Sequence, residues 1–253
     1  MLSVRERYKP TTVLKAVGPK LVPFFKTVVI FFILFEEDSR LESVFYCIVK
    51  CLPVISLMIF VLLHGMSLSE IYAYSRKILI GLIFSCLGDA FLVWKNCGYF
   101  THGLAMFALA QIMYVWAFGL FKPLALRTGT ICATFGVAMY LFLLPGLSGA
   151  MTYLAAVYVG LIATMAWRAI ARVKFLNDQW TWTGLCSSGG AVLFLISDSV
   201  IAINKFRFDV PYSHQIIMLT YYFAQLGISV SVVDSHVDAL IVKTGQKVRP
   251  HGD

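Results

Sequence analysis

Two aspartates, Asp89 and Asp198, lie inside stretches of sequence that are otherwise almost wholly apolar, and each is flanked by small residues. An acidic side chain near the centre of a bilayer costs at least about 2.5–3.5 kcal/mol, so we expect both to serve a function. Two carboxyl groups that share an apolar cavity do not both ionise readily, and one of them keeps its proton. A protonated acid beside a carboxylate is the arrangement that acid-assisted cleavage through an oxocarbenium ion requires.

The same pair of acids fits two other classes of function. Paired carboxyl groups also serve proton or cation transport, so a proton-coupled transporter of lipids or small solutes is the main alternative to an enzyme. A third hypothesis is a non-catalytic membrane interaction protein, in which each aspartate bonds to Ser, Asn or Lys between packed helices. The physical chemistry of the residues alone leaves these three open.

Several other polar residues are candidates for substrate binding. Lys26 and Lys50 lie within apolar runs, where each could face a phosphate or a carboxylate, or could extend its ammonium to the membrane interface. The remaining candidates are His102, Asn204, Lys205, Tyr221, Tyr222 and Gln225. The six cysteines form no CxxC pair and no His/Cys/carboxylate cluster has the spacing of metal ligands, so we predict neither a metal nor another cofactor.

The composition indicates that lipid surrounds most of the chain. Of the 253 residues, 59% are hydrophobic and 13% are charged, and the mean hydropathy is +0.80. An average soluble domain is about 25% charged, so this composition argues against a soluble, disordered or coiled-coil protein. The net charge of +8 comes from basic residues between the apolar runs, without interleaved aromatic residues, and we therefore predict no nucleic-acid partner.

The apolar runs predict an all-α, polytopic membrane protein. A helix needs about 20 apolar residues to cross a hydrocarbon core of about 30 Å. Eight runs have roughly this length: about 21–35, 44–63, 76–94, 100–121, 127–145, 149–171, 183–204 and 213–233. Some of them are short or slightly polar, so seven spans are the main alternative to eight.

The distribution of basic residues predicts the orientation. With eight spans both termini lie on one side, which then carries 15 of the 21 Lys and Arg residues, against 4 on the other side. By the positive-inside rule both termini are cytoplasmic. We therefore predict a cytoplasmic segment at 1–19, a single eight-helix membrane domain at 20–235 and a cytoplasmic tail at 236–253.

The surroundings of the two aspartates predict an internal duplication. Asp89 and Asp198 are each followed, six and seven residues later, by one lysine and one asparagine. The two motifs lie about 110 residues apart, which divides the chain into four-helix repeats at about 20–121 and 127–235. Both aspartate helices start from the cytoplasmic face, so the repeats are parallel. Carboxyl groups at one depth on related helices are expected to converge on one cavity.

Two groups of motifs resemble those of a known family. The first comprises Gly88-Asp89-Ala90 and Gly98-Tyr99-Phe100-x-His102-Gly103, and the second comprises Ile196-Ser197-Asp198, Ala202-Ile203-Asn204-Lys205-Phe206 and Tyr221-Tyr222-x-Ala224-Gln225. Together they resemble the lysoplasmalogenase-like transmembrane family, the YhhN family, and within it most nearly the longer vertebrate paralogue. The resemblance extends over about residues 18–233.

This resemblance implies an eight-helix enzyme of the endoplasmic reticulum membrane. It implies hydrolysis of the vinyl-ether bond of lysoplasmalogens, which releases a fatty aldehyde and glycerophosphocholine or glycerophosphoethanolamine. The two essential aspartates of the family correspond to Asp89 and Asp198. The expected partners are a lysoplasmalogen and membrane lipid, and the sequence does not predict an oligomeric state.

The chemistry of a vinyl ether suggests a hypothesis for the mechanism. A proton adds to the β-carbon, an oxocarbenium ion forms, water adds, and the hemiacetal collapses to aldehyde and alcohol. One aspartate would donate the proton, and the other would stabilise the cation and orient the water. Tyr221, Asn204 or His102 could orient the acids. The candidates for holding the substrate phosphate are Lys26, Lys50 and Lys205.

Overall fold

The computed structural model of the protein describes residues 10–35, 42–64, 70–120, 125–173 and 182–233. These residues form eight α-helices and no strand, which confirms the all-α prediction. The helices are α1 (Pro10–Leu34), α2 (Val44–Leu63), α3 (Ala73–Val93), α4 (Phe100–Phe118), α5 (Leu126–Leu143), α6 (Ala150–Ala171), α7 (Trp182–Phe206) and α8 (Ser213–Val230). Short 3-10 helices lie at Glu70–Tyr72, Lys95–Cys97 and Leu144–Gly146.

The helix ends agree well with the apolar runs, with one exception. α2 spans the predicted residues 44–63, and its first turn is capped by Ser43, whose hydroxyl accepts a hydrogen bond from the Phe45 amide. α1 begins at Pro10, about three turns before the predicted span, and therefore contains Pro19 and Pro23. The apolar run marks the part of a helix that fits lipid, and a helix can continue beyond that part. The predicted tail at 236–253 and residues 1–9 lie outside the described residues.

The chain is a multi-pass membrane protein by the length and character of its helices. Six of the described helices are long and apolar enough to cross a membrane: α1, α2, α4, α5, α6 and α7. Large hydrophobic side chains such as Ile33, Phe45 and Val137 are exposed on these helices, as expected of surfaces that face acyl chains. The count of eight spans stays a prediction, since α3 and α8 are more polar.

The helix contacts follow one pattern in the first four helices and repeat it in the last four. α2 packs between α1 and α3, and α6 packs between α5 and α7. The most extensive contacts are α3 with α4 in one half and α7 with α8 in the other. Between the halves, α4 contacts α6 and α8 contacts α2. The internal duplication stays a prediction, with which this pattern of contacts agrees.

Glycines allow the aspartate-bearing helices to lie close to the helices that follow them. A Cβ atom on Gly88 would lie 2.7 Å from the Phe107 ring of α4. A Cβ atom on Gly190 would lie 2.7 Å from the Ala224 carbonyl of α8. In the turn between α3 and α4, Gly98 has a φ of +90°, a conformation that favours glycine. The turn keeps the end of α3 beside the start of α4.

Candidate active site

Asp89 lies on α3 in the interior of the helix bundle, with 2% of its surface exposed. The Tyr221 hydroxyl of α8 donates a hydrogen bond to Asp89 Oδ2 at 2.6 Å. The ammonium of Lys50, on α2, lies 3.4 Å from Asp89 Oδ1 and 3.4 Å from the Asp89 backbone carbonyl oxygen. The carboxyl group is therefore held between a phenol and a buried cation that come from two other helices.

The partners of Asp89 are themselves positioned by α8. The Tyr222 hydroxyl donates a hydrogen bond to the Lys50 carbonyl at 2.9 Å, which ties α2 to α8. The Tyr221 ring packs against the rings of Phe107 and Phe194, with centroids 5.8 and 5.6 Å away. These contacts leave Tyr221 little rotational freedom, so its hydroxyl stays directed at Asp89.

Gln225 lies one turn further along α8 in a separate hydrogen-bonded group. It is fully buried, and its Oε1 accepts a hydrogen bond from the Tyr114 hydroxyl of α4 at 2.9 Å. The Tyr114 hydroxyl also lies 3.3 Å from Ser85 Oγ on α3. Gln225 therefore supports the packing of α3, α4 and α8 behind Asp89.

Asp198 lies on α7 and is partly buried. The Tyr158 hydroxyl of α6 donates a hydrogen bond to Asp198 Oδ2. The aspartate and the tyrosine line an apolar cavity of about 60 Å³, which we name the Asp198 cavity. Its walls include Leu92, Leu104 and Phe107.

Tyr158 is not among the residues predicted from the sequence, because a single tyrosine in an apolar helix is indistinguishable from a packing residue. The predicted duplication contains a signal that could have found it. Lys50 precedes Asp89 by 39 residues, and Tyr158 precedes Asp198 by 40 residues. In each half of the chain, the helix before the aspartate therefore supplies a polar partner for it.

The two aspartates lie on either side of a shared group of side chains. Phe107 contacts Tyr221, which bonds to Asp89, and it also lines the Asp198 cavity. An acid in an apolar cavity and an acid beside a cation thus occupy neighbouring positions in one protein interior.

A second cavity, which we name the lysine cavity, adjoins the Asp198 cavity. It has a volume of about 240 Å³ and includes Lys50, Lys95 and Lys205 in its lining. Leu92, Phe100 and Ile201 line both cavities, so the two adjoin at these side chains. A polar, cationic compartment therefore adjoins the apolar compartment that Asp198 lines.

The polar surface of the lysine cavity comes from both halves of the chain. Lys95 and Asn96 lie in the turn after α3, and Asn204 and Lys205 lie at the end of α7. The Asn204 Oδ1 accepts a hydrogen bond from the Val210 amide at 2.8 Å. The repeated Lys and Asn residues that follow the two aspartates therefore meet in one place.

Two of the predicted binding residues are not brought to this region. Lys26 is exposed on α1, on the face that also exposes Val22, Phe25 and Val29. His102 is exposed in the first turn of α4, where its ring lies against those of Phe91 and Tyr99, 5.7 and 5.5 Å away. Both side chains occupy outward faces of their helices. The sequence prediction differs because a position within an apolar run does not show whether a residue faces into the bundle or away from it.

The described residues contain no group of three or more His, Cys, Asp or Glu side chains that could hold a metal ion.

Comparison with known proteins relates the chain to one family. The YhhN family model matches residues 45–232. Lysoplasmalogenase TMEM86A of Homo sapiens is 48% identical over 226 residues, covering 89% of this chain and 93% of the relative, and that of Bos taurus is 46% identical with the same coverage. Lysoplasmalogenase TMEM86B of Homo sapiens is 36% identical over 221 residues, covering 86% and 88%. No solved structure matches the chain.

Proposed function

The chain belongs to the YhhN family, and on this basis we propose that it is a lysoplasmalogenase, a membrane hydrolase that cleaves the vinyl-ether bond of lysoplasmalogens. The membership confirms the resemblance that the motifs around Asp89 and Asp198 predicted. The reaction consumes water and yields a fatty aldehyde and a glycerophospho-base. The observation that carries the proposal is a pair of aspartates that each bond to a tyrosine hydroxyl. Asp198 lines the apolar cavity, and Asp89 pairs with Lys50, which lines the cationic cavity.

Asp198 is the proton donor in this proposal. It faces an apolar cavity, where a neutral carboxyl group is favoured over a carboxylate. The Tyr158 hydroxyl occupies Oδ2, which leaves Oδ1 to carry the proton to the β-carbon of the vinyl ether. The apolar walls suit the alkenyl chain, whose double bond then lies beside the acid.

Asp89 is the carboxylate that stabilises the oxocarbenium ion. Its negative charge is supported by the Lys50 ammonium and by the Tyr221 hydroxyl. After the proton has been transferred, water adds to the cationic carbon and returns a proton to the carboxylate of Asp198. The hemiacetal then collapses to the aldehyde and the free glycerol hydroxyl, so that protons balance over the cycle.

The proposed location is the endoplasmic reticulum membrane. The proposed membrane domain is a single eight-helix unit at 20–235, with repeats at about 20–121 and 127–235. The segments at 1–19 and 236–253 are proposed to be cytoplasmic. The charge asymmetry between the two faces supports the orientation. Epitope tags at both termini should be accessible after selective permeabilisation of the plasma membrane. A terminal tag that is accessible only after the internal membranes are opened would contradict this topology.

The function is tested with purified protein in lipid vesicles that contain a lysoplasmalogen. Aldehyde release should fall at least about a hundredfold in Asp89→Asn and Asp198→Asn, because each removes one half of the acid–carboxylate pair. Asp209→Asn is the matched control, since Asp209 is exposed beyond the end of α7. Thermal unfolding and gel filtration verify that each variant is folded.

Two outcomes would overturn the proposal. Near-normal turnover in either folded aspartate variant would refute the two-carboxylate mechanism. Lipid or solute flux across the vesicle membrane, without chemical conversion of the lipid, would identify a proton-coupled transporter instead.

A further inference from the structure

Three lysines from three separate segments converge on the lysine cavity. Lys50 comes from α2, Lys95 from the turn after α3, and Lys205 from the end of α7. Lys50 is 7% exposed, Lys95 is partly buried and Lys205 is exposed. A long, flexible ammonium side chain normally extends into water, so three that line one concave surface are an unusual arrangement.

The positive charge of this cluster is only partly balanced within the described residues. Lys50 pairs with Asp89, whereas Lys95 and Lys205 form no ion pair with a described carboxylate. Lys205 lies over the Phe100 ring, 4.2 Å from its centroid, which stabilises the cation but does not neutralise it. Burial, with the positive charges of Lys50 and Lys205 nearby, lowers the pKa of Lys95 below its usual value. The cavity therefore favours an anionic occupant.

We propose that the lysine cavity binds the phosphate group of the lysophospholipid substrate, an inference that rests on the proposed function. A phosphate offers oxygen acceptors to several ammonium donors at once. The cavity adds the amide groups of Asn96 and Asn204, and its volume of about 240 Å³ accommodates a head group. Lys95 and Lys205 are the principal phosphate ligands, and Lys50 is shared between the phosphate and Asp89.

This position of the phosphate also places the scissile bond. The glycerol backbone separates the phosphate from the vinyl ether, and Leu92, Phe100 and Ile201 line both the lysine cavity and the Asp198 cavity. In this proposal a substrate anchored by its phosphate extends past these three side chains, with its vinyl ether beside Asp198 and its alkenyl chain among apolar side chains. The bound head group therefore fixes how far the alkenyl chain of the substrate reaches into the Asp198 cavity.

The test compares two substrates that differ only in the phosphate-containing head group, a lysoplasmalogen and the corresponding 1-alkenylglycerol. In Lys95→Met and Lys205→Met, KM for the lysoplasmalogen should rise about 10- to 100-fold, the loss expected for one charge-assisted hydrogen bond. The kcat for the lysoplasmalogen should stay within about twofold of the wild-type value. Both kcat and KM for the alkenylglycerol should do the same, because none of these constants depends on a phosphate contact. Lys95→Arg should retain the preference for the phosphorylated substrate.

Arg207→Met is the matched control, because Arg207 carries the same charge at the same end of α7 but lies over the Phe142 ring, 4.9 Å away, outside the lysine cavity. Its KM should equal that of the wild type. sn-Glycerol 3-phosphate and inorganic phosphate distinguish a head-group site from a general anion site. Competition by the first alone supports the proposal, and equal competition by both shows that the site recognises any phosphate anion and overturns the head-group assignment.

Direct binding separates failure of this inference from failure of the proposed function. Lysophosphatidylcholine, which lacks the vinyl ether, should raise the unfolding temperature of the wild type more than monoacylglycerol does, and the difference should vanish in Lys95→Met/Lys205→Met. That result would hold even if no aldehyde were released. Equal stabilisation by the two lipids in the wild type, or equal kinetic losses on both substrates in the lysine variants, would overturn the phosphate site.

Discussion

The Lys50 ammonium and the Asp89 carboxylate form an ion pair in the interior of the helix bundle, with Nζ and Oδ1 3.4 Å apart. The two partners differ in what else surrounds them. Lys50 also lines the lysine cavity, whereas Asp89 is 2% exposed and is enclosed by α2, α3 and α8. Loss of Asp89 leaves an ammonium that can turn toward a polar cavity, and loss of Lys50 leaves a carboxylate without a buried cation.

This asymmetry predicts that Lys50→Met destabilises the protein more than Asp89→Asn does. Removal of one partner of a buried ion pair costs about 3–5 kcal/mol when the other charge is left uncompensated. The double variant Lys50→Met/Asp89→Asn should regain most of that loss, because no buried charge remains. The unfolding temperature of the purified proteins measures all three effects. Equal losses in the two single variants, or an additive loss in the double variant, would contradict the asymmetry.

Tyr158 and Tyr221 are predicted to be positioning residues for the two aspartates. Replacement by phenylalanine removes one hydrogen bond to a carboxyl group, worth about 1–3 kcal/mol at a buried site, so kcat should fall about 5- to 100-fold. KM should change little, because neither hydroxyl lines the lysine cavity. Steady-state kinetics with a lysoplasmalogen separates the two constants.

The control for both tyrosines is Tyr153→Phe. Tyr153 lies on α6, five residues before Tyr158, and is 77% exposed. This variant should retain the kcat of the wild type. A parallel loss of kcat in Tyr153→Phe, or a change in KM alone in the other two variants, would show that the hydroxyls do not act on the aspartates.

The parts of the site that could be predicted from the sequence are those that violate the apolar pattern. Asp89 and Asp198 stand out because a charge inside an apolar run is costly, and their similar flanking sequences made the pairing visible. Tyr158 does not stand out by its chemistry, since a phenol in such a run carries no comparable penalty, and only its spacing from Asp198 marks it. Lys95 falls between two apolar runs of the sequence, and only the fold brings it to Lys50 and Lys205.

The helices could be predicted from the sequence, but the direction in which their side chains point could not. Hydropathy located every described helix, but it did not distinguish the inward face of α1 from the face that exposes Lys26. A long ammonium side chain is tolerated on either face, so its type does not report its direction. α3 carries three charged residues, Arg76, Lys77 and Asp89, and α8 buries Tyr221, Tyr222 and Gln225, so neither is among the six helices with the clearest membrane character.

The close approach of α7 and α8 predicts opposite effects at two adjacent glycines. Gly190→Ala places a methyl group 2.7 Å from the Ala224 carbonyl, and this overpacking should cost about 1–3 kcal/mol. Gly189→Ala meets no atom within 4 Å, so the better helix propensity of alanine should leave stability unchanged or raise it by up to about 1 kcal/mol. Thermal unfolding of the two variants measures the difference. Equal stability would contradict the packing of α7 against α8.

Lys95 is predicted to limit substrate binding at alkaline pH. Burial and the neighbouring charges of Lys50 and Lys205 lower the pKa of Lys95, so the free protein loses this ammonium at a lower pH than an ordinary lysine would. Because the charged form binds phosphate, KM for a lysoplasmalogen should rise as the pH increases through that lowered pKa, while below it KM stays flat. Lys95→Arg keeps its charge to above about pH 12, so the rise should move to higher pH. Lys50, Lys205 and His214 share the cavity, and Lys95→Arg leaves them in place. KM measured between pH 7 and pH 10 tests whether Lys95 is the titrating group, with Arg207→Lys as the control. If KM of Lys95→Arg rises over the same pH range as KM of the wild type, another group titrates.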